Sequence, residues 1–325
     1  MLAGRTKPLV LCMIATPFQP DGTLDEVGLR AHLRRMVESG CSVYLGSGGA
    51  GEGHALSLAE LKRVYEIGVQ ECKGRVATFA NPPEPRTAKA MIAMCEAAAT
   101  AGVDMIQIYQ MDAGHSMRPT AAEQERYYRT ILDVVHHPMA LSVHFYSGYQ
   151  PSAALFRKLC DDYPQIAAVN VIGSPIGYYV ELKDALAPRI ALYVRWQNAA
   201  EALPLGAAGY LAAEPNIAPY LCRSIVEHFI RGEIEQCGEA IANVARLSNI
   251  VSRWAPAPAR WVKMAMKVLD LPGGNGVLRE PYLLPPASEL EEMARAFEKF
   301  GLRRIEDASK KICLHTPALT PIAER

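Results

Sequence analysis

One carboxamide, Asn170, interrupts the apolar run Ile166-Ala167-Ala168-Val169-Asn170-Val171. A buried amide must find hydrogen-bond partners or it costs free energy. Asn170 therefore reads either as a satisfied core amide or as a side chain at the mouth of a pocket. His144 closes a second apolar run that begins at Met139. An imidazole there suits proton transfer or metal ligation, with a purely structural histidine as the competing reading. Glu52 stands in the glycine-rich stretch Gly46-Ser47-Gly48-Gly49-Ala50-Gly51-Glu52-Gly53. Its carboxylate is either bonded to backbone amides or a general base. The N–H groups of Gly49, Ala50 and Gly51 precede a capped helix and can hold a carboxylate or phosphate. Their spacing is neither a Walker loop nor a dinucleotide fingerprint, so a tight strand-to-helix turn remains the alternative. Asp112 and His115 share one long loop but lack ligand spacing with His144. Tyr146 and Trp196 suit pocket walls or core packing. No ligand spacing here predicts a metal and no cofactor is expected, with a metal-assisted reaction as the alternative.

Eight short apolar runs must position these groups. They lie at about residues 9–14, 42–45, 75–80, 104–109, 139–144, 166–171, 190–194 and 209–213. Helical segments alternate with them, marked by Asp25, by the capping box Ser57/Glu60, and by Gly40 and Gly102 as stops. Strand–helix alternation repeated eight times over about 215 residues predicts a closed (β/α)8 barrel. An open doubly wound sheet is disfavoured, because no G-x-G-x-x-G joins the first strand to a helix. The expected division is a barrel over 8–218, a C-terminal helical extension over 219–301 and a peripheral tail over 302–325. In such a barrel the site lies at the C-terminal ends of the strands.

Composition narrows the function classes. Of the 325 residues, half are hydrophobic, and 34 Lys and Arg balance 34 Asp and Glu. No basic run with interleaved aromatics points to nucleic acid. No apolar run of about 18 residues points to a membrane span. The N-terminus is not a convincing signal peptide. Eight scattered cysteines without C-x-x-C pairs predict buried thiols in a reducing cytoplasm.

Three ordered motifs carry a family resemblance. Thr16-Pro17-Phe18 with Asp21-Gly22, then Gly48-x-x-Gly51-Glu52-x-x-x-Leu56-Ser57, resemble the start of the dihydrodipicolinate synthase / N-acetylneuraminate lyase family. Gly209-Tyr210-Leu211-Ala212-Ala213-Glu214-Pro215-Asn216-Ile217-Ala218-Pro219 is similar to its eighth-strand motif, and Lys263 to Leu271 with Arg279-Glu280-Pro281 to its C-terminal region. The resemblance implies a (β/α)8 barrel, usually tetrameric. It also implies imine chemistry between a strand-six lysine and a 2-oxo acid such as pyruvate, with a strand-five tyrosine relaying protons. This chain departs at each functional position. The lysine position falls on Asn170, the tyrosine on Leu141, the hydroxyl pair on Gly49 and Ala50, and the arginine after strand five on Tyr146.

A carboxamide nitrogen is not nucleophilic, so Asn170 cannot form the imine. None of the eight predicted strands contains a lysine. The first expectation is a lyase-type enzyme acting on a small 2-oxo acid or other carboxylate without the imine. Asn170 would be an oxyanion-type donor, His144 or Glu52 the acid/base, and Gly49, Ala50, Gly51, Tyr146 and Leu211 the substrate contacts. The second is a non-catalytic binder or regulatory paralogue. Either way the expected partners are a small carboxylate and further copies of the chain, as a dimer or tetramer.

Overall fold

In a computed structural model the chain is described at residues 7–84, 86–111, 117–144, 147–254 and 258–314. Eight parallel strands close in chain order: β1 (Leu9–Met13), β2 (Ser42–Leu45), β3 (Thr78–Ala80), β4 (Met105–Tyr109), β5 (Met139–His144), β6 (Ile166–Ile172), β7 (Ala191–Arg195) and β8 (Gly209–Ala212), with β8 pairing β1. The predicted (β/α)8 barrel is the fold observed. Its closing seam depends on one glycine. Gly209 has φ +148°, and a Cβ there would stand 2.1 Å from the Leu9 carbonyl oxygen. Only glycine permits that approach.

Seven helices follow the first seven strands: α1 (Glu26–Ser39), α2 (Leu58–Cys72), α3 (Ala88–Ala101), α4 (Ala121–Leu132), α5 (Ala153–Asp162), α6 (Ile176–Ala185) and α7 (Ala199–Ala202). The starts follow local chemistry. Asp25 accepts from Gly28 N–H, and Ser57/Glu60 and Thr120/Glu123 form reciprocal capping boxes. Strand residues alternate between two faces. One set, including Val43, Leu45, Leu141, Val143, Val169, Val171 and Val194, packs with the helices, and the other fills the barrel. That second set includes Leu11, Tyr44, Phe79, Ala140, Ala168, Ile172, Tyr193 and Leu211.

Beyond the barrel come α8 (Pro219–Arg231), α9 (Ile234–Ser252), α10 (Pro258–Val268), α11 (Ala287–Phe300) and α12 (Leu302–Leu314). Helix α12 corrects the expectation of a peripheral tail from residue 302. Leu302, Ser309 and Cys313 are buried, and the Glu306 carboxylate accepts from the N–H groups of Tyr220 and Leu221 at 2.9 and 2.8 Å. It caps the α8 N-terminus, where no α8 residue supplies a side-chain cap. Strand β3 is also shorter than predicted, since Arg75 and Val76 bond back to Cys72 at the end of α2. All eight cysteines are free and buried. Among the described residues no helix is long and apolar enough to cross a membrane.

Candidate functional site at the barrel mouth

The strand-six amide faces the barrel interior. Asn170 is fully buried, and its Nδ2 donates to Tyr44 Oη at 2.6 Å and to Gln107 Oε1 at 2.7 Å. The Tyr44 hydroxyl donates to the same Gln107 oxygen at 2.7 Å, and Gln107 Nε2 donates to Asn81 Oδ1 at 2.7 Å. Four buried polar side chains from β2, β4, β6 and the residue after β3 thus form one chain. An amide nitrogen has two hydrogens. Both of Asn170's are engaged, which corrects its expected role as an oxyanion donor. Its Oδ1 has no hydrogen-bond partner among the described residues, and neither has the buried hydroxyl of Ser142, its neighbour in the ladder.

The outer ring of the mouth is set by register. His144 pairs with Ile172, and Arg195 follows Val194, the partner of Val171. Tyr193 fills the barrel interior, and alternation puts Arg195 on the same face one step toward the mouth. The His144 ring lies edge-on to Tyr109 with centroids 5.8 Å apart, and its backbone N–H donates to Gln110 Oε1. Burial, helped by the Arg195 charge, lowers the His144 pKa to about 4. The ring is therefore neutral at pH 7, the protonation state a general base requires. Its folded pKa lies below its ordinary value, so the unfolded chain binds the proton more readily. The stability due to the neutral ring is present above about pH 6.5 and is lost as pH falls through about 4. An NMR titration should give a midpoint near 4; one near 6.5 would show a water-exposed ring.

Glu52 does not join this ring. Its carboxylate ion-pairs with Lys263 on α10 and accepts from Arg279 N–H at 3.0 Å. The Lys263 ammonium also donates to the Val277 carbonyl at 2.8 Å and lies 4.0 Å from the centroid of Phe18. Burial lowers the Lys263 pKa to about 8, with Glu52 pulling the other way. Glu52 itself has φ +50°, uncommon for a residue with a side chain. The pair and the Arg279 N–H hold it there. This geometry assigns Glu52 to structure and corrects its candidacy as general base.

The glycine loop is largely self-satisfied. Gly51 N–H donates to Ser47 Oγ, Glu52 N–H to the Gly49 carbonyl and Gly53 N–H to the Ser47 carbonyl. A Cβ on Gly53 would sit 2.0 Å from the Gly46 carbonyl oxygen, so the turn requires glycine there. Ala50 is buried and Gly49 half-buried. The Gly51 amide is thus engaged inside the loop, which corrects the expected part of Gly51 in holding an anion.

Leu141 is buried with the outer-face residues of β5, whereas Ala140, Ser142 and His144 share the inner alternation. A one-residue slip moves a strand side chain to the opposite face, and this corrects Leu141 as the pocket's tyrosine-equivalent position. Leu211 lies in the barrel interior, 3 % exposed. Trp196 Nε1 donates to Glu214 Oε1 at 2.9 Å and is a buried wall. Tyr146, Asp112 and His115 lie outside the described residues. Among the described residues no cluster of three metal-ligating side chains occurs.

With that geometry in place, comparison with known proteins is decisive for ancestry. The dihydrodipicolinate synthetase family matches residues 8–299. The chain belongs to that family. An uncharacterized DapA-like lyase of Rhizobium meliloti is 24 % identical over 277 residues, covering 85 % of this chain and 89 % of its own. A 4-hydroxy-tetrahydrodipicolinate synthase of Methanococcus aeolicus is 23 % identical over 294 residues, covering 89 % and 97 %. Among solved structures, dihydrodipicolinate synthase of Aquifex aeolicus superposes with a TM-score of 0.82 at 17 % identity, covering 91 % of this chain and 98 % of its own. YagE of E. coli K12, a family member solved in complex with pyruvate, gives 0.82 at 17 %, covering 91 % and 99 %. These superpositions establish the shared fold.

Within the family fold, three candidate site residues escaped the sequence reading, Tyr44, Asn81 and Gln107, and Arg195 stood out there only as a strand-end position. Gln107 carried the same signal as Asn170, a carboxamide inside an apolar strand. Arg195 carried a weaker one, a charge at the C-terminal end of a strand.

Proposed function

We propose that this family member is a lyase-type enzyme acting on a small 2-oxo acid or similar carboxylate at the barrel mouth, without a lysine imine. The observation that carries this reading is Asn170, on the interior face of β6, held by Tyr44 and Gln107. None of the eight strands contains a lysine, and Lys263 is held by Glu52 and the Val277 carbonyl. His144 is the proposed proton acceptor, because its ring is neutral at pH 7. The reaction proposed for it is removal of a proton α to the ligand's carbonyl. The C–H pair becomes an enolate, the imidazole takes the proton, and reprotonation restores both. Asn170 is the proposed positioning residue through its Oδ1. By family resemblance we also propose a cytoplasmic homo-oligomer, dimeric or tetrameric.

A second reading, binding without turnover, is favoured by the closed chain Tyr44–Gln107–Asn81, which fills the interior with mutually satisfied groups. Proton NMR of pyruvate in D2O separates the two. An enzyme should speed loss of the methyl signal, His144→Gln should abolish that loss, and the rate should be flat from about pH 5 to 8. Saturable pyruvate binding without exchange would establish the second reading. Neither binding nor exchange would sink both.

A further inference from the structure

We infer that Arg195 is the carboxylate anchor of this site, holding the ligand's anionic end at the mouth above Ile172 with the reacting carbon toward His144. The inference rests on the small-carboxylate reading above.

Three observations converge on it. The first is placement. Arg195 ends β7 on the interior-facing side, at the mouth where barrel ligands bind. The second is its missing counter-ion. The guanidinium is half-buried, and among the described residues it forms no ion pair or side-chain hydrogen bond. Its field nonetheless reaches Glu214. That carboxylate is already committed: Oε1 accepts from Trp196 Nε1 at 2.9 Å, and Oε2 from Ala213 N–H at 3.1 Å. A partly desolvated cation without a partner is unfavourable, and an incoming anion relieves that. The third is spacing. Across one intervening strand at about 4.8 Å per step, the Arg195 and His144 backbones are about 10 Å apart. Ile172, only 8 % exposed, separates them as an apolar floor.

The chemistry then selects the ligand. Guanidinium presents a planar fork of N–H donors that matches a carboxylate's two oxygens. A neutral imidazole on the far side neither competes for the anion nor repels it. The site therefore takes a short monocarboxylate whose carbonyl carbon lies a bond or two from the carboxylate. The same positive charge stabilises the enolate formed by proton removal.

The test is calorimetric titration of full-length wild type, Arg195→Gln and Arg195→Lys with pyruvate and with methyl pyruvate, its neutral ester. Circular dichroism checks that each variant folds. Wild type should bind pyruvate more tightly than the ester. Arg195→Gln should weaken pyruvate binding about 10- to 100-fold while leaving the ester nearly unchanged, which is the loss of one charge-assisted contact. Arg195→Lys should recover part of the difference. Equal pyruvate affinity in wild type and folded Arg195→Gln would overturn the anchor role alone. An equal loss for acid and ester would overturn it too, because that is the signature of a merely structural residue. If wild type binds neither compound, the small-carboxylate reading falls and takes the anchor with it.

Discussion

Replacing Glu52 by glutamine should be among the most damaging single changes in this protein. The substitution leaves the Lys263 amine buried, 2 % exposed, without its counter-ion, and its remaining contacts are the Val277 carbonyl and the Phe18 ring. Removing one member of a buried ion pair costs about 3–5 kcal/mol, because the survivor stays desolvated and uncompensated. The effect should spread, since Glu52 joins three parts of the chain. It belongs to the glycine loop after β2, it pairs with α10, and it accepts the Arg279 N–H in the connection leading to α11. Phe18, at the end of the first strand's loop, lies under both Lys263 and the Arg279 guanidinium. Urea unfolding of Glu52→Gln, Lys263→Met and the Glu52→Gln/Lys263→Met double variant gives the measurement. Each single variant should lose most of that stability, and the double should lose far less than their sum. Additive losses would show that the pair is not coupled, and the structural assignment of Glu52 would fail.

This pair also shows where sequence reading stops. The barrel was legible because eight apolar runs, capping residues and glycine stops agree on one architecture. Asn170 was legible as a buried amide because a lone polar residue in an apolar strand stands out. Its partners were not, since Tyr44 and Gln107 lie 126 and 63 positions away and meet it only through barrel closure. Glu52 stayed open between a structural carboxylate and a general base for the same reason. Its counter-ion, Lys263, is remote in sequence and sits on a helix that reads from composition as part of an outer extension. Leu141 shows a different limit. Motif alignment fixes a residue to within a position or two, but one position decides which face of a strand it occupies. Glu306 reflects a third, because a charged segment reads as solvent-exposed until its carboxylate is found capping another helix.

Asn170→Lys should convert a protein that forms no imine with pyruvate into one that does. Borohydride reduction followed by intact-mass measurement should leave wild type without a pyruvate adduct. Its strands carry no lysine, and Lys263 is held in a buried ion pair. In the variant the new amine emerges on the interior face of β6, among Tyr44, Gln107 and Ser142, with no carboxylate among the hydrogen-bond partners of the residue it replaces. Burial without a counter-ion pushes a lysine pKa down, which leaves the amine neutral and nucleophilic near pH 7. The longer side chain must displace part of the Tyr44–Gln107 chain, and overpacking of this kind costs about 1–3 kcal/mol. The variant should therefore fold with reduced stability and trap one pyruvate. The Arg195→Gln change in the same background should lower the trapped yield, because the amine needs the carboxylate held beside it. An adduct on wild type would restore imine chemistry through an amine elsewhere in the chain. A folded variant that traps nothing would place the carboxylate site away from strand six, and the proposed function would have to move with it.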